Sequence, residues 1–269
     1  MKLKVLEDNN TFIDKYYLGE PAVSYYIEDE DAKILFDTGY SDAFIRNAKS
    51  MDINLKEINK IVISHGHNDH TGGLKYLFEN VSNKNIEVIA HTECFNKKVC
   101  GNEYIGTSMI KEELEQVCNL KLTKNPLKIS ENITFLGEIP EINNFEKREI
   151  IGKCNMSGKM IDDIVRDDTA IVYKSKKGLF IITGCSHSGI CNIIEYAKKV
   201  CNEDKVYGVI GGFHLFDVNE KLNKTIQYFK GINPQLLYPC HCISLKAKIE
   251  IGKELKINEV GVGLEINID

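Results

Sequence analysis

Ser64-His65-Gly66-His67-Asn68-Asp69-His70-Thr71-Gly72-Gly73 gathers three of the chain's seven histidines and one carboxylate within six residues. The run before it, Lys60-Ile61-Val62-Ile63, is short and apolar and reads as a buried strand. Imidazole and carboxylate are the side chains that hold a borderline divalent cation. Crowded imidazoles repel one another once protonated, so such a cluster is most stable around a cation that replaces their protons. Residues two apart on extended chain point to the same side, so His65 and His67 can reach one ion. Asp69 and His70 lie at the turn into an expected helix over 72–80 and aim at a second point nearby. Gly72-Gly73 lets that helix begin close beneath the site. The competing account is a polar loop that happens to be histidine-rich.

Working outward, short apolar or alternating runs mark strands at about 2–7, 22–28, 32–36, 60–64, 86–90, 133–137, 169–175, 179–183, 206–210, 235–239 and 260–267. Helical patterns fall at 41–50, 72–80, 107–118, 189–201, 219–230 and 244–254. Strands alternating with helices predict a layered α/β domain. The two halves echo each other. One hairpin, 22–28 and 32–36, ends in Asp37-Thr38-Gly39; a second, 170–174 and 179–182, ends in Thr183-Gly184-Cys185. Each precedes a helix and a further strand. The first of those strands ends at His65, 28 residues after Asp37, and the second leads to His214, 29 residues after Cys185. A duplicated ββαβ unit accounts for the echo and brings polar loops of both halves to one edge; chance similarity of two hairpins is the alternative. Residues 138–168 break the rhythm, and a segment of this length is a lid, a binding loop or disordered chain. The expectation is a lid over the metal site.

Composition narrows the function classes. The 269 residues are 43% hydrophobic and 27% charged with a net charge of −5, an ordinary globular balance. The expectation is one domain over 1–269. No basic stripe is present, which argues against a nucleic-acid partner. No apolar run reaches the length of a membrane span, and the first residues lack the apolar stretch of a signal peptide. Nine irregularly spaced cysteines, with no CxxC pair, point to reduced thiols in the cytoplasm. Arginines are few, with Arg46, Arg148 and Arg166 the full set, and Arg148 or Arg166 is a candidate to hold an anionic substrate.

His65-x-His67-x-Asp69-His70 after an apolar strand resembles the metal motif of the metallo-β-lactamase superfamily, and Phe36-Asp37-Thr38-Gly39 resembles its early Asp turn. The resemblance implies an α/β fold: a four-layer αββα sandwich of two mixed β-sheets flanked by helices, with metals along one edge. It implies two divalent metal ions, zinc first with iron or manganese as alternatives, held by His65, His67, Asp69, His70, Cys185, His187 and His241. Cys185 in Thr183-Gly184-Cys185-Ser186-His187 stands where the family carries a bridging Asp, and either ligates as a thiolate or is a buried unligated thiol. Asp168 stands where the family has a further histidine and is a candidate oxygen ligand. Asp37 is expected to orient the histidine loop rather than bind metal. Asp69 and His214 are the candidate catalytic residues, one orienting a water and the other contacting substrate or moving a proton.

Gly184-Cys185-Ser186-His187-Ser188-Gly189, Gly211-Gly212-Phe213-His214-Leu215 and Cys240-His241-Cys242 together resemble one branch. That branch is the one around 7,8-dihydropterin-6-methyl-4-(β-D-ribofuranosyl)-aminobenzene-5'-phosphate synthase. The resemblance implies a metal-dependent hydrolase or related synthase acting on a small, phosphorylated or ester-like metabolite. An iron-dependent redox enzyme on the same scaffold and a non-catalytic metabolite sensor are the competing readings.

Overall fold

The computed structural model describes residues 1–81 and 84–269. Two large mixed sheets form its centre. The first has seven strands in the order Glu265–Asn267, Lys2–Glu7, Ser24–Asp29, Ala32–Phe36, Lys60–Val62, Glu87–Ala90 and Asn119–Leu122. The second has six, in the order Leu236–Pro239, Val206–Gly211, Gly178–Thr183, Ala170–Ser175, Ile133–Phe135 and Leu127–Lys128.

Alternation along the strands assigns the layers. Ile34, Phe36, Val62 and Ile89 of the first sheet share one buried cluster with Ile171, Phe180, Ile182 and Ile210 of the second. Their immediate neighbours point the other way. Leu35, Ile61 and Val88 pack with Phe44, Leu74, Leu77 and Leu114 on helices Ala43–Ser50, Leu74–Asn80 and Lys111–Val117. Val172, Leu179, Ile181 and Val209 pack with Ile193, Phe229 and Ile251 on helices Ile190–Cys201, Glu220–Ile232 and Leu245–Glu254. A strand buried on both faces reads as a continuous apolar run, as Leu179-Phe180-Ile181-Ile182 does within the fully buried Gly178–Thr183. The architecture is the four-layer αββα sandwich.

The two ββαβ units match in topology. In each, an antiparallel hairpin is followed by a helix and a strand that pairs parallel to the hairpin's second arm: Lys60–Val62 on Ala32–Phe36, Val206–Gly211 on Gly178–Thr183. Parallel strands end on the same edge, and there the chain leaves the sheet at Asp37, His65, Cys185, His214 and His241. Four of the eleven non-glycine residues with left-handed backbone among the described residues lie at this edge: Asp37 (φ 57°), Ser186 (61°), His214 (49°) and His241 (54°). Such conformations cost about 1–3 kcal/mol each and persist where the surrounding structure demands them.

Several local expectations change. The helix expected over 72–80 is two pieces, Asn68–Thr71 and Leu74–Asn80, so Asp69 and His70 lie on a helical turn and not before one. The helix expected over 107–118 is Lys111–Val117, and Asn119–Leu122 adds an edge strand. The strand expected over 260–267 is confined to Glu265–Asn267. Residues 138–168 contain a hairpin, Gly152–Met156 with Lys159–Asp163, which joins Lys98–Cys100 and Glu103–Tyr104 in a small antiparallel sheet. Residues 159–162 are all exposed, so no apolar alternation marked the strand in advance. The rest of the segment is anchored. Glu146 accepts from the N–H groups of Cys191 (3.0 Å) and Asn192 (2.9 Å), the first turn of helix Ile190–Cys201. No helix among the described residues is long and apolar enough to cross a membrane, and all nine cysteines are unpaired.

Candidate metal centre

The strand ends bring together donors from residues as far apart in sequence as His65 and His241. One group is Asp69, His70, Cys185 and His241; a second is His65, Cys185 and His187; a third is His65, His67 and Asp69. Within each group the candidate donor atoms lie within 4.8 Å of one another. The Cys185 sulfur is 3.2 Å from Nε2 of both His70 and His241, and Asp69 Oδ2 is 3.4 Å from the same two nitrogens. Nε2 of His65 is 3.0 Å from Nδ1 of His67. The His187 ring lies 4.9 Å from that of His65 and 5.1 Å from that of His67, centroid to centroid.

The donor set fits divalent cations. Nitrogen and sulfur ligands around tetrahedral zinc stand about 3.4–3.6 Å apart, close to the separations found here. Nε2 of His67 and of His187 is buried without a hydrogen-bond partner, and a cation supplies one. Burial, and then neighbouring histidines, push His65 and His187 well below the usual imidazole range, and burial lowers His67. Neutral imidazole is the form that ligates. Burial, with Cys242 beside it, pushes the Cys185 thiol well above the cysteine range, so its thiolate requires a cation nearby.

Supporting residues orient the rings. Asp37 Oδ2 is 2.7 Å from His70 Nδ1, and its two oxygens accept from Ser64 N and Oγ, both at 2.7 Å. Ser64 Oγ in turn is 3.0 Å from His65 Nδ1. Asn9 Oδ1 is 3.0 Å from His241 Nδ1, and Asp8 Oδ2 accepts from the His241 N–H at 3.2 Å. Such partners fix which ring nitrogen faces the cation. Gly184 lets the two halves meet: a Cβ there would lie 2.3 Å from Ser64 Oγ.

Asp37 touches His70 and Ser64 and belongs to none of the donor groups among the described residues. Asp168 does not join any donor group among the described residues. Its Oδ2 accepts from Ser188 N at 2.8 Å, which braces the turn that carries His187, and its Oδ1 is buried without a hydrogen-bond partner. His214 stands with its ring 4.3 Å from His187 and with a buried, unpartnered Nδ1, beside the donors and outside their groups. Arg148 donates to the carbonyls of Val165 and Ile139, which ties its guanidinium to the backbone of its own segment. Cys240 packs in the core against the Tyr25 hydroxyl, and Cys242 Sγ reaches Cys185 O at 3.3 Å. Asp8, Asn9 and Ser64 carry no mark in the sequence that singles them out as supports. Nothing local in Asp8-Asn9-Asn10 signals a partner more than 230 residues away.

Comparison with known proteins agrees with this geometry. The family model for the metallo-beta-lactamase superfamily matches residues 18–96, the stretch that holds Asp37 and the first histidine cluster. An uncharacterized protein of Methanocaldococcus jannaschii, MJ0448, is 37% identical over 93% of this chain and 94% of its own. The 7,8-dihydropterin-6-methyl-4-(beta-D-ribofuranosyl)-aminobenzene-5'-phosphate synthase of the same organism is 33% identical over 95% of this chain and 92% of its own. The crystal structure of Tm1679, described as a metal-dependent hydrolase of the beta-lactamase superfamily, superposes with a TM-score of 0.85. It is 30% identical and covers 100% of this chain and 99% of that one.

Proposed function

The chain belongs to the metallo-β-lactamase superfamily, in the branch resembling the dihydropterin-ribofuranosyl-aminobenzene phosphate synthase, and from that premise we propose that it is a metal-dependent hydrolase or related synthase. Its substrate is a small, phosphorylated or ester-like, pterin-related metabolite, processed in the cytoplasm. The observation that carries the reading is the convergence of overlapping donor groups, with Cys185 a member of two of them, whose residues would hold divalent cations such as zinc.

When bound, such ions lower the pKa of a water toward neutrality and offset charge developing on the substrate. The protein's own groups do the rest. Asp69, with about a quarter of its side chain exposed, places its carboxylate 3.4 Å from Nε2 of His70 and of His241, where it would help to hold such an ion and orient a water beside it. His70 and His241 are held by Asp37 and Asn9 with Nε2 turned inward. His214, beside His187, carries a proton to the leaving group. The strained strand ends hold these groups at fixed separations, which preorganises the site.

The test is elemental analysis of protein purified without added metal, paired with assays on phosphodiesters, esters and lactones. About two zinc ions per chain and turnover that His67→Ala abolishes together with metal content are expected. Metal-free protein, or a metal-free His67→Ala variant with full turnover, refutes the reading.

A further inference from the structure

Lys98 is a buried cation for which the donor groups have no use. Its side chain is 1% exposed, and its ammonium lies 2.8 Å from Asp167 Oδ1 and 2.9 Å from Asp163 Oδ2. Burying such a triad removes each charge from water at a cost that their mutual attraction must offset, so it is weak evidence of a stabilising role alone. The other oxygen of Asp167 is engaged as well: Oδ2 accepts from the Gly66 N–H at 2.7 Å. Gly66 is the residue between His65 and His67. The chain passes so close there that a Cβ on Gly66 would lie 1.8 Å from Cys94 O and 3.1 Å from Lys98 Cε. On the far side, Asp163 Oδ1 accepts from the Val165 N–H at 2.8 Å, and the strand that carries Lys98 pairs with Gly152–Met156.

We propose that Lys98 and Asp167 are positioning residues for the metal-binding loop. The ammonium fixes the Asp167 carboxylate, the carboxylate fixes the Gly66 amide, and the amide sets the separation of the His65 and His67 rings before a cation arrives. A charged acceptor holds an N–H more strongly than a neutral one. A loop ordered in advance spares the cation the cost of ordering it. The same link ties the segment 152–168 to the metal loop. This role rests on the metal reading and adds to it the device that shapes the loop.

The experiment measures zinc affinity of the metal-stripped full chain by competition with a chromogenic chelator, well below the melting temperature. Wild type, Lys98→Met, Lys98→Arg and Asp167→Asn are compared. Loss of a supporting partner typically weakens metal binding about 10- to 100-fold, and that range is expected for Lys98→Met and Asp167→Asn, with Lys98→Arg closer to wild type. Asp167→Asn keeps the shape of the side chain and leaves Lys98 paired with Asp163, so it carries the test if Lys98→Met fails to fold. A folded Asp167→Asn that binds zinc within twofold of wild type overturns the positioning role while leaving the metal reading intact. That variant with a lowered melting temperature and unchanged affinity overturns it equally, because a purely structural contact behaves so. Wild type that binds no zinc removes the metal reading and the positioning role with it.

Discussion

Asp37 and His70 are joined by a 2.7 Å contact between Oδ2 and Nδ1, and that contact turns Nε2 of His70 toward the Cys185 sulfur. Burial disfavours a charged His70, yet Asp69 and Asp37 outweigh it and hold its pKa well above the imidazole range. Without a cation the ring therefore keeps a second proton, and a cation must displace it. Asp37→Asn removes the charge and keeps the volume. Metal affinity is expected to fall about 10- to 100-fold, measured by chelator competition. An unchanged affinity shows that Asp37 serves only the Ser64 turn.

Cys185 belongs to two donor groups, so its loss acts on both. Cys185→Ser is expected to lower zinc content below that of wild type. In cobalt-loaded protein it should erase the sulfur-to-metal charge-transfer band. Cys240→Ser, in the core, should leave both unchanged. A Cys185→Ser variant with full metal content and an unaltered spectrum excludes the thiolate as a ligand.

Glu146 caps the helix that follows the Cys185–His187 turn. Glu146→Ala leaves two buried N–H groups, those of Cys191 and Asn192, without an acceptor. Hydrogen bonds to a charged acceptor are worth about 1.5–3 kcal/mol each, so a loss of roughly 3 kcal/mol is expected in urea unfolding. A shift of the midpoint too small to detect contradicts the anchoring of residues 138–168.

Glu7 is fully buried, with the Glu20 carboxyl beside its own. Burial, and then that neighbouring carboxyl, push its pKa up from 4.5 to about 9. The native state therefore keeps a proton that the unfolded chain releases between those two values. Stability falls as pH rises through that window, with a slope approaching about 1.4 kcal/mol per pH unit for one proton. Glu7→Gln should be flatter than wild type across that window in thermal unfolding, by roughly that slope. Parallel pH profiles for the two proteins count against a protonated Glu7.

The fold was legible where burial imposes a period. Strands such as Gly178–Thr183 are apolar on both faces and cannot be mistaken for loop, and the repeated hairpin and helix announced two related halves. Short polar strands were not legible. Lys98–Cys100, Glu103–Tyr104, Gly152–Met156 and Lys159–Asp163 are stabilised by pairing with one another, and pairing partners far apart in sequence leave no local pattern. The same limit applied at the metal centre. His65, His67, Asp69 and His70 stood out because they are dense in one loop. Lys98, Asp167, Asp8 and Asn9 did not, because each is an ordinary polar residue until the fold sets it against its partner.

The amino-acid sequence determined where to look for chemistry: a histidine-rich loop behind an apolar strand gathers the side-chain types that hold a divalent cation, and type and spacing suffice to pick it out. Tertiary structure decided the division of labour. It set Cys185 between two donor groups, brought Asp168 against Ser188, and placed a buried lysine beneath Gly66. The reason is physical. Ligand identity is a property of single residues, whereas a shared donor or a supporting contact depends on distances of about 3 Å between chain segments that only packing brings together.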